Sequence, residues 1–401
     1  MNIGYIVVRE DLDDPLIKSQ VLDILESLNN SGDHSAADLI WFYRVDYFFR
    51  AKSRKKRILR KDLDGRNIKV HFLPFIGPAF PVAWWLLPFV CVQWFFAIIL
   101  LWFFKGFKQL HCRSYHAGLI GLLVKKIINV DYIFDPRSPM PEENVSSGRW
   151  KMLSNNYKVW KLLEAKIVAG SKRTVLISEC QKDLYKGPFD SRKFVTIPNS
   201  YPRSFDDSYE NEIGPLSYSY DFAYVGSFGH WNKAEDYVRF LKGINELSKR
   251  SYSMLFLVRG DGLKSVLFAA DKVGLSRGLF DAYSLPQKEV KEALKMCRFG
   301  LYFMKNEDPR LGVKTVEYIR SGLKVIVSDT IKGAANVVEE NDLGVVWDYS
   351  NEGLKKVDEY CASMPASALD DYANQINFAV NHFSPSAISN KLLSECYSYE
   401  L

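Results

Sequence analysis

The sequence predicts an α/β chain of two doubly wound domains facing each other across a cleft, and three observations carry this. Apolar, strand-like runs alternate with helical segments along nearly the whole chain, the pattern of parallel sheets covered on both faces. Residues 198–220, PNSYPRSFDDSYENEIGPLSYSY, are polar and rich in Pro, Ser and Asp, and read as an interdomain linker. Residues 312–329, GVKTVEYIRSGLKVIVSD, run from a glycine-led turn through a short helix ending at Gly322 into an apolar strand. The domains are expected at 1–200 and 201–380, with a last helical segment in 381–401. A length of 401 residues and 47% hydrophobic content suit two sizeable cores.

In the first half, residues 3–8 read as a buried parallel strand, and a polar loop follows. A helix over 16–28 then places Ile17, Val21, Ile24, Leu25 and Leu28 on one face. Further strands are expected at 39–43, 69–73, 110–113, 132–134, 174–177 and 194–197. A long helix covers 150–169, and Ser178 fits the N-cap of the helix after the sixth strand. Ligands of such sheets bind beyond the carboxyl ends of the strands, so the residues just past each strand matter most. Two such loops stand out. One begins Arg113-Ser114-Tyr115-His116, where His116 either packs at a helix start or does chemistry. The other, Asp135-Pro136-Arg137-Ser138-Pro139-Met140-Pro141-Glu142-Glu143, sets acids and an arginine among prolines that stiffen the chain. Arg137 can fork onto a carboxylate or phosphate. Glu142 or Glu143 can act as a general base or bind sugar hydroxyls, with Asp135 a further catalytic candidate. The plainer alternative is a loop held by its own salt bridges.

Residues 79–104 interrupt this pattern: they carry no charge and are dense in Trp and Phe. Length alone makes them a transmembrane candidate. Spanning is not expected, because the strands before and after belong to one sheet and Pro81 and Pro88 break the run. The expectation is a hydrophobic element packed on the domain and dipping into a membrane interface, with a wholly buried core helix as the alternative. The basic run KSRKKRILRK at 52–61, with Lys105 and Lys108, suits anionic headgroups. As a bare pattern the run also fits a solvated helix face or a nucleic-acid patch. The net charge, 53 − 47 = +6, is too mild to argue for nucleic acid. Six scattered cysteines lack metal-ligand spacing and are expected to be reduced, as in a cytoplasm, and no cleavable signal peptide is expected.

The second half opens with a strand at 221–225 that runs into Gly226-Ser227-Phe228-Gly229-His230-Trp231-Asn232 and then a helix at about 233–249. A glycine-containing turn here brings backbone amides near a ligand. Strand 255–258 leads to Arg259-Gly260-Asp261-Gly262, and the next strand leads to Tyr283-Ser284-Leu285-Pro286 and a helix at 287–296. Strand 301–304 precedes the 312–329 segment, whose Lys314 and Glu317 share one face of a first helical turn. The amides of a helix start attract phosphate, Lys314 adds a full charge there, and Glu317 is an acceptor suited to a ribose diol. An ordinary amphipathic helix with a salt-bridged Lys and Glu is the alternative. Strands and helices at 333–339, 343–346 and about 385–397 complete the chain.

The Lys-x-x-Glu helix followed by Gly and a strand resembles the donor-nucleotide segment of GT-B glycosyltransferases, whose two domains are Rossmann-like. That resemblance implies nucleotide in the C-terminal half, acceptor in the N-terminal half, and a last helix packed back on the first domain. The Gly226–Asn232 and Asp135–Glu143 segments and the apolar insert look like the β-Kdo transferase module of WbbB-type O-antigen synthases. This family implies a CMP-β-Kdo donor, transfer with retention to a bacterial polysaccharide or lipid-linked acceptor, and no metal or other cofactor. It also implies work at the cytoplasmic face of the inner membrane, without a nucleic-acid partner. An Asp nucleophile is expected right after Gly-His-Trp, where this chain has Asn232. A neutral amide is a poor nucleophile, so the chain reads as an impaired form. Asn232 also fits the N-cap of the following helix. On this resemblance Lys314 stabilises the leaving phosphate, Glu317 holds the ribose, and Arg137 with the Ser227–Gly229 turn meets the Kdo carboxylate. Gly226, Phe228, Arg259, Ser284 and Arg113 complete the donor side, and Glu142 or Glu143 activates the acceptor. A GT-B enzyme using a UDP- or GDP-sugar and a non-catalytic carbohydrate- or nucleotide-binding module are the rivals.

Overall fold

The computed structural model describes residues 2–12, 14–31, 36–45, 62–63, 65–77, 81–185, 187, 189–206, 218–229, 232–364 and 369–398. The basic run at 52–61 and the pair His230 and Trp231 lie outside them. The chain forms two compact units, one of Met1–Pro198 with Pro385–Leu401, the other of Asn199–Ser384.

In unit 1, a parallel sheet holds β1 (Asn2–Val8), β2 (Ala36–Arg44), β3 (Val70–Phe75), β4 (Gln109–Arg113), β5 (Asp131–Asp135), β6 (Arg173–Leu176) and β7 (Phe194–Thr196). Their order is β3-β2-β1-β4-β5-β6-β7, with Ile6 of β1 opposite Ile40 of β2 and Cys112 of β4. Side chains alternate across a strand, so β1 feeds two cores. Ile3, Tyr5 and Val7 pack with Leu25 and Leu28 of α1 (Asp23–Asn30), which continues a π-helical turn at Lys18–Leu22. Ile6 and Val8 pack on the other face with α2 (Leu87–Lys105), α3 (Ser114–Ile128) and α5 (Asn155–Gly170), where α4 is the short helix Met140–Ser146. Ser178 makes no side-chain capping bond, and the helix after it is a 3-10 helix, Glu179–Leu184.

The apolar segment is α2, preceded by a 3-10 turn at Trp84–Leu86. Pro88 sits in its first turn, where its missing N–H costs nothing, and Gly106 closes the helix at φ 62°. Leu87, Val90, Trp94 and Ile98 form a buried stripe, with Trp94 against Phe75 of β3. The opposite face exposes Phe89, Val92, Phe96, Leu100, Phe103 and Phe104, the last two by more than three quarters. The wholly buried alternative is therefore wrong, because one stripe is all that the sheet can cover.

Unit 2 repeats the plan with β8 (Tyr220–Gly226), β9 (Met254–Val258), β10 (Phe280–Tyr283), β11 (Cys297–Tyr302), β12 (Lys324–Ser328) and β13 (Gly344–Trp347), all parallel in the order β10-β9-β8-β11-β12-β13. Helices α6 (Ala234–Leu247), α7 (Gly262–Val273), α8 (Gln287–Lys295), α9 (Val313–Arg320), α10 (Lys332–Glu340), α11 (Asn351–Ser363) and α12 (Leu369–Phe383) connect or flank the strands. The chain then returns to unit 1 as α13 (Pro385–Leu392) and a π-helical turn, Leu393–Tyr397, which join the core beside α1.

Candidate active site

The second sheet reverses its strand order between β8 and β11, and such a switch point opens a crevice at the carboxyl ends. Helix α9 lies across it. It buries Thr315, Val316, Tyr318 and Ile319 and leaves Lys314 and Glu317 half-buried on the other side. The Tyr318 hydroxyl accepts from the Val225 N–H (2.9 Å) and donates to the Leu301 carbonyl (3.2 Å), which pins α9 to both strands. Gly300 makes this possible, since a Cβ there would lie 2.2 Å from the Tyr318 ring.

Lys314 is held in an aromatic box. Its Nζ donates to the Tyr224 hydroxyl at 3.1 Å and sits 4.5 Å from the centre of the Tyr224 ring and 5.4 Å from that of Tyr302. The Tyr224 hydroxyl in turn donates to the Ser227 carbonyl (2.9 Å), and Phe228 stacks on its ring at 4.6 Å. Gly226 completes the box at φ 130°, and a Cβ on it would meet Lys314 Cε at 2.8 Å. Gly226→Ala is expected to cost about 1–3 kcal/mol of stability and to displace the lysine, through strain and clash together. A lower melting temperature with nucleotide binding weakened by about tenfold or more would show it, and unchanged binding would remove Gly226 from the site.

Asn232 joins the same box. With its amide oriented to satisfy both neighbours, Nδ2 donates to the Phe303 carbonyl (3.1 Å) and Oδ1 accepts from Lys314 Nζ (3.3 Å). Its own carbonyl accepts from the Gly229 N–H at 2.9 Å and closes the turn. The N-cap of α6 is Lys233, so the capping role open to Asn232 in the sequence falls to its neighbour's backbone.

Burial pulls the Lys314 ammonium down to about 7, although Glu317 supports the charge. Burial likewise pushes the Glu317 carboxyl up to about 7, against the lowering fields of Arg259 and Lys314. Both groups are thus poised to change charge near neutrality. The α9 N-terminus has no side-chain cap at Gly312, so its first amides add partial positive charge. This arrangement can hold a phosphate, with Glu317 beside it as a hydroxyl acceptor. Arg259 is exposed after β9, and its charge reaches Glu317. Ser284 is exposed beyond β10, the edge strand two places from β8.

The remaining sequence candidates belong to unit 1. Arg113, Asp135 and Arg137 meet at the carboxyl ends of β4 and β5. Burial alone raises the Asp135 carboxyl, yet Arg137, His111 and Arg113 together lower it to about 2. That suits Asp135 to anchoring cations and not to taking up a proton. Glu142 pairs with Lys161 (2.9 Å), and Glu143 accepts from Ser138 Oγ (2.8 Å), so internal contacts do hold this loop. His116 is buried against Trp94 and Trp160, its pKa lowered to about 3 by burial and by Arg9, so it packs as a neutral ring. Sequence reasoning missed Tyr224, Tyr302 and Tyr318. The available signal was a tyrosine near the end of each strand flanking the switch point.

No family model and no curated protein matches the sequence. Solved structures do match along the full length. Sucrose-phosphate synthase from Thermosynechococcus elongatus aligns at TM-score 0.66 and 14% identity, covering 98% of this chain and 97% of that one. Anabaena HepE, solved with UDP and glucose, aligns at 0.68 and 11% over the whole of both chains. The lipopolysaccharide outer core galactosyltransferase WaaB aligns at 0.67 and 10%, covering 99% of each. The chain therefore has the GT-B fold, with two Rossmann-like units.

Proposed function

We propose that the protein is a retaining glycosyltransferase that moves β-Kdo from CMP-β-Kdo to a bacterial polysaccharide acceptor. The observation that carries a transfer reading is the meeting of Asn232, Lys314 and the Gly226 turn at the switch point of unit 2. The GT-B likeness to nucleotide-sugar proteins, HepE with UDP among them, supports it. The Kdo donor rests on the sequence resemblance. A carboxylate at position 232 attacks the anomeric carbon, the bond to CMP breaks, and CMP leaves with its phosphate charge met by Lys314 and the α9 amides. An acceptor hydroxyl then attacks the glycosyl ester, a base takes its proton, and the carboxylate leaves. Two inversions give retention. Glu142 or Glu143 is the proposed base, and the Ser227–Gly229 turn the proposed contact for the Kdo carboxylate. With Asn232 the first step lacks its nucleophile, and the chain binds donor with little turnover. The test is turnover of CMP-Kdo by this chain and by Asn232→Asp. A UDP- or GDP-sugar donor is the second reading, favoured by the UDP held by HepE. Stabilisation by UDP or GDP with no response to CMP would select it.

We also propose that unit 1 sits on the cytoplasmic face of the inner membrane through α2. The exposed aromatic face is followed by the exposed cations Lys105 and Lys108 at its C-terminal end. An apolar face with lysines at its end suits an anionic bilayer interface. The chain is expected to float with phosphatidylglycerol-rich vesicles and less with phosphatidylcholine. The triple change Phe96→Ser, Phe103→Ser, Phe104→Ser should weaken binding by about tenfold or more. Self-association in place of vesicle binding would overturn the membrane assignment.

A further inference from the structure

The first sheet has its own switch point, between β1 and β4, and its carboxyl edge carries a charge cluster that the transfer scheme leaves unused. Arg9 follows β1, Arg113 ends β4 and Arg137 follows β5, on three neighbouring strands. Two carboxylates meet Arg113 and Arg137. Glu10 accepts from Arg113 Nε at 2.9 Å, and Asp135 Oδ2 lies 3.5 Å from Arg137 Nη1 and 4.0 Å from Arg113 Nη1. His111, 3.4 Å from Asp135, has its pKa lowered by burial and adds no charge at neutral pH.

The arrangement is built and aimed. Arg113 is 4% exposed, and its Nη1 has no hydrogen-bond partner among the described residues. A buried guanidinium N–H without an acceptor is costly, and an anionic oxygen is the partner that its geometry favours. Directly after Arg113 begins α3, fifteen residues long, whose N-cap makes no side-chain capping bond, so its first amides face the same edge. Arg137 is oriented from behind, donating through Nη2 to Gln20 Oε1 at 2.9 Å from the π-helical turn after β1. Arg9, Ser114 and Arg137 take φ of 62°, 75° and 60°, a region that side-chain-bearing residues seldom adopt.

We propose that this edge is an anion subsite, taking the carboxylate or phosphate of an acidic sugar that unit 1 receives. The proposal goes beyond the transfer reading and requires neither Kdo nor a nucleophile at position 232.

The experiment is calorimetric titration of the full chain with glucuronate, glucose 6-phosphate and neutral glucose. A Lys314→Ala background keeps the lysine of unit 2 from contributing. At least one acidic sugar is expected to bind saturably while glucose does not. Arg137→Gln should weaken that binding by about tenfold or more, and Asp135→Asn, which removes a competing carboxylate, should tighten it. Binding of glucuronate alone assigns a carboxylate ligand, and binding of the phosphate alone a phosphorylated one. If neither acid binds to the parent or to the Asp135→Asn form, or if Arg137→Gln leaves binding unchanged, the proposal is overturned and the cluster only braces the loop. Either variant decides the matter should the other fail to fold.

Discussion

Under the proposed transfer scheme, Asn232→Asp is expected to raise donor turnover by about a thousandfold or more, because it supplies the carboxylate nucleophile that the scheme requires. The gain follows from geometry. The amide already lies 3.3 Å from Lys314 Nζ and is fixed on its other side by the Phe303 carbonyl. An aspartate in the same place keeps the lysine contact as an ion pair, which favours the ionised nucleophile, but it cannot donate to Phe303. Hydrolysis and transfer should both rise in the Asp form, and a trapped glycosyl ester should be visible by mass spectrometry before acceptor is added. Equal activity of the two forms would move the nucleophile away from position 232.

The second large effect concerns pH. Lys314, lowered to about 7, is charged below that pH and loses its proton above it. On the proposed reading nucleotide phosphate binds the charged form, so affinity should fall with rising pH by up to about tenfold per unit above 7. Glu317, raised to about 7, gains negative charge over the same window and acts in the same direction. Lys314→Met should weaken binding by about a hundredfold and remove most of the slope, whereas Glu317→Gln should leave the lysine's share. Titrations with CMP at pH 6, 7 and 8 separate these outcomes. A flat profile in the parent chain would mean that Lys314 stays charged throughout and that the phosphate does not depend on its titration.

Much of the architecture was legible. Most strands coincide within a few residues with an expected apolar run, because local composition and alternation decide whether a segment suits a sheet; β11 begins four residues before the run expected at 301–304. The α9 segment was legible for the same reason: glycine, Lys-x-x-Glu, glycine and an apolar strand are all near neighbours. The roles around it were less so. The contact between Asn232 and Lys314 forms only once β8 and β11 lie side by side, and nothing near position 232 announces it.

The sequence by itself determined the element order and the lysine and glutamate at a helix start, since these depend on short-range patterns. Only tertiary structure decided that Tyr224 and Tyr302 box the lysine, that α2 buries one stripe and leaves its aromatic face outside, and that Arg113 and Arg137 meet at Asp135. Those facts depend on strand order and on how far a sheet can reach across a helix. Side-chain contacts between distant segments are set by the sheet that carries them.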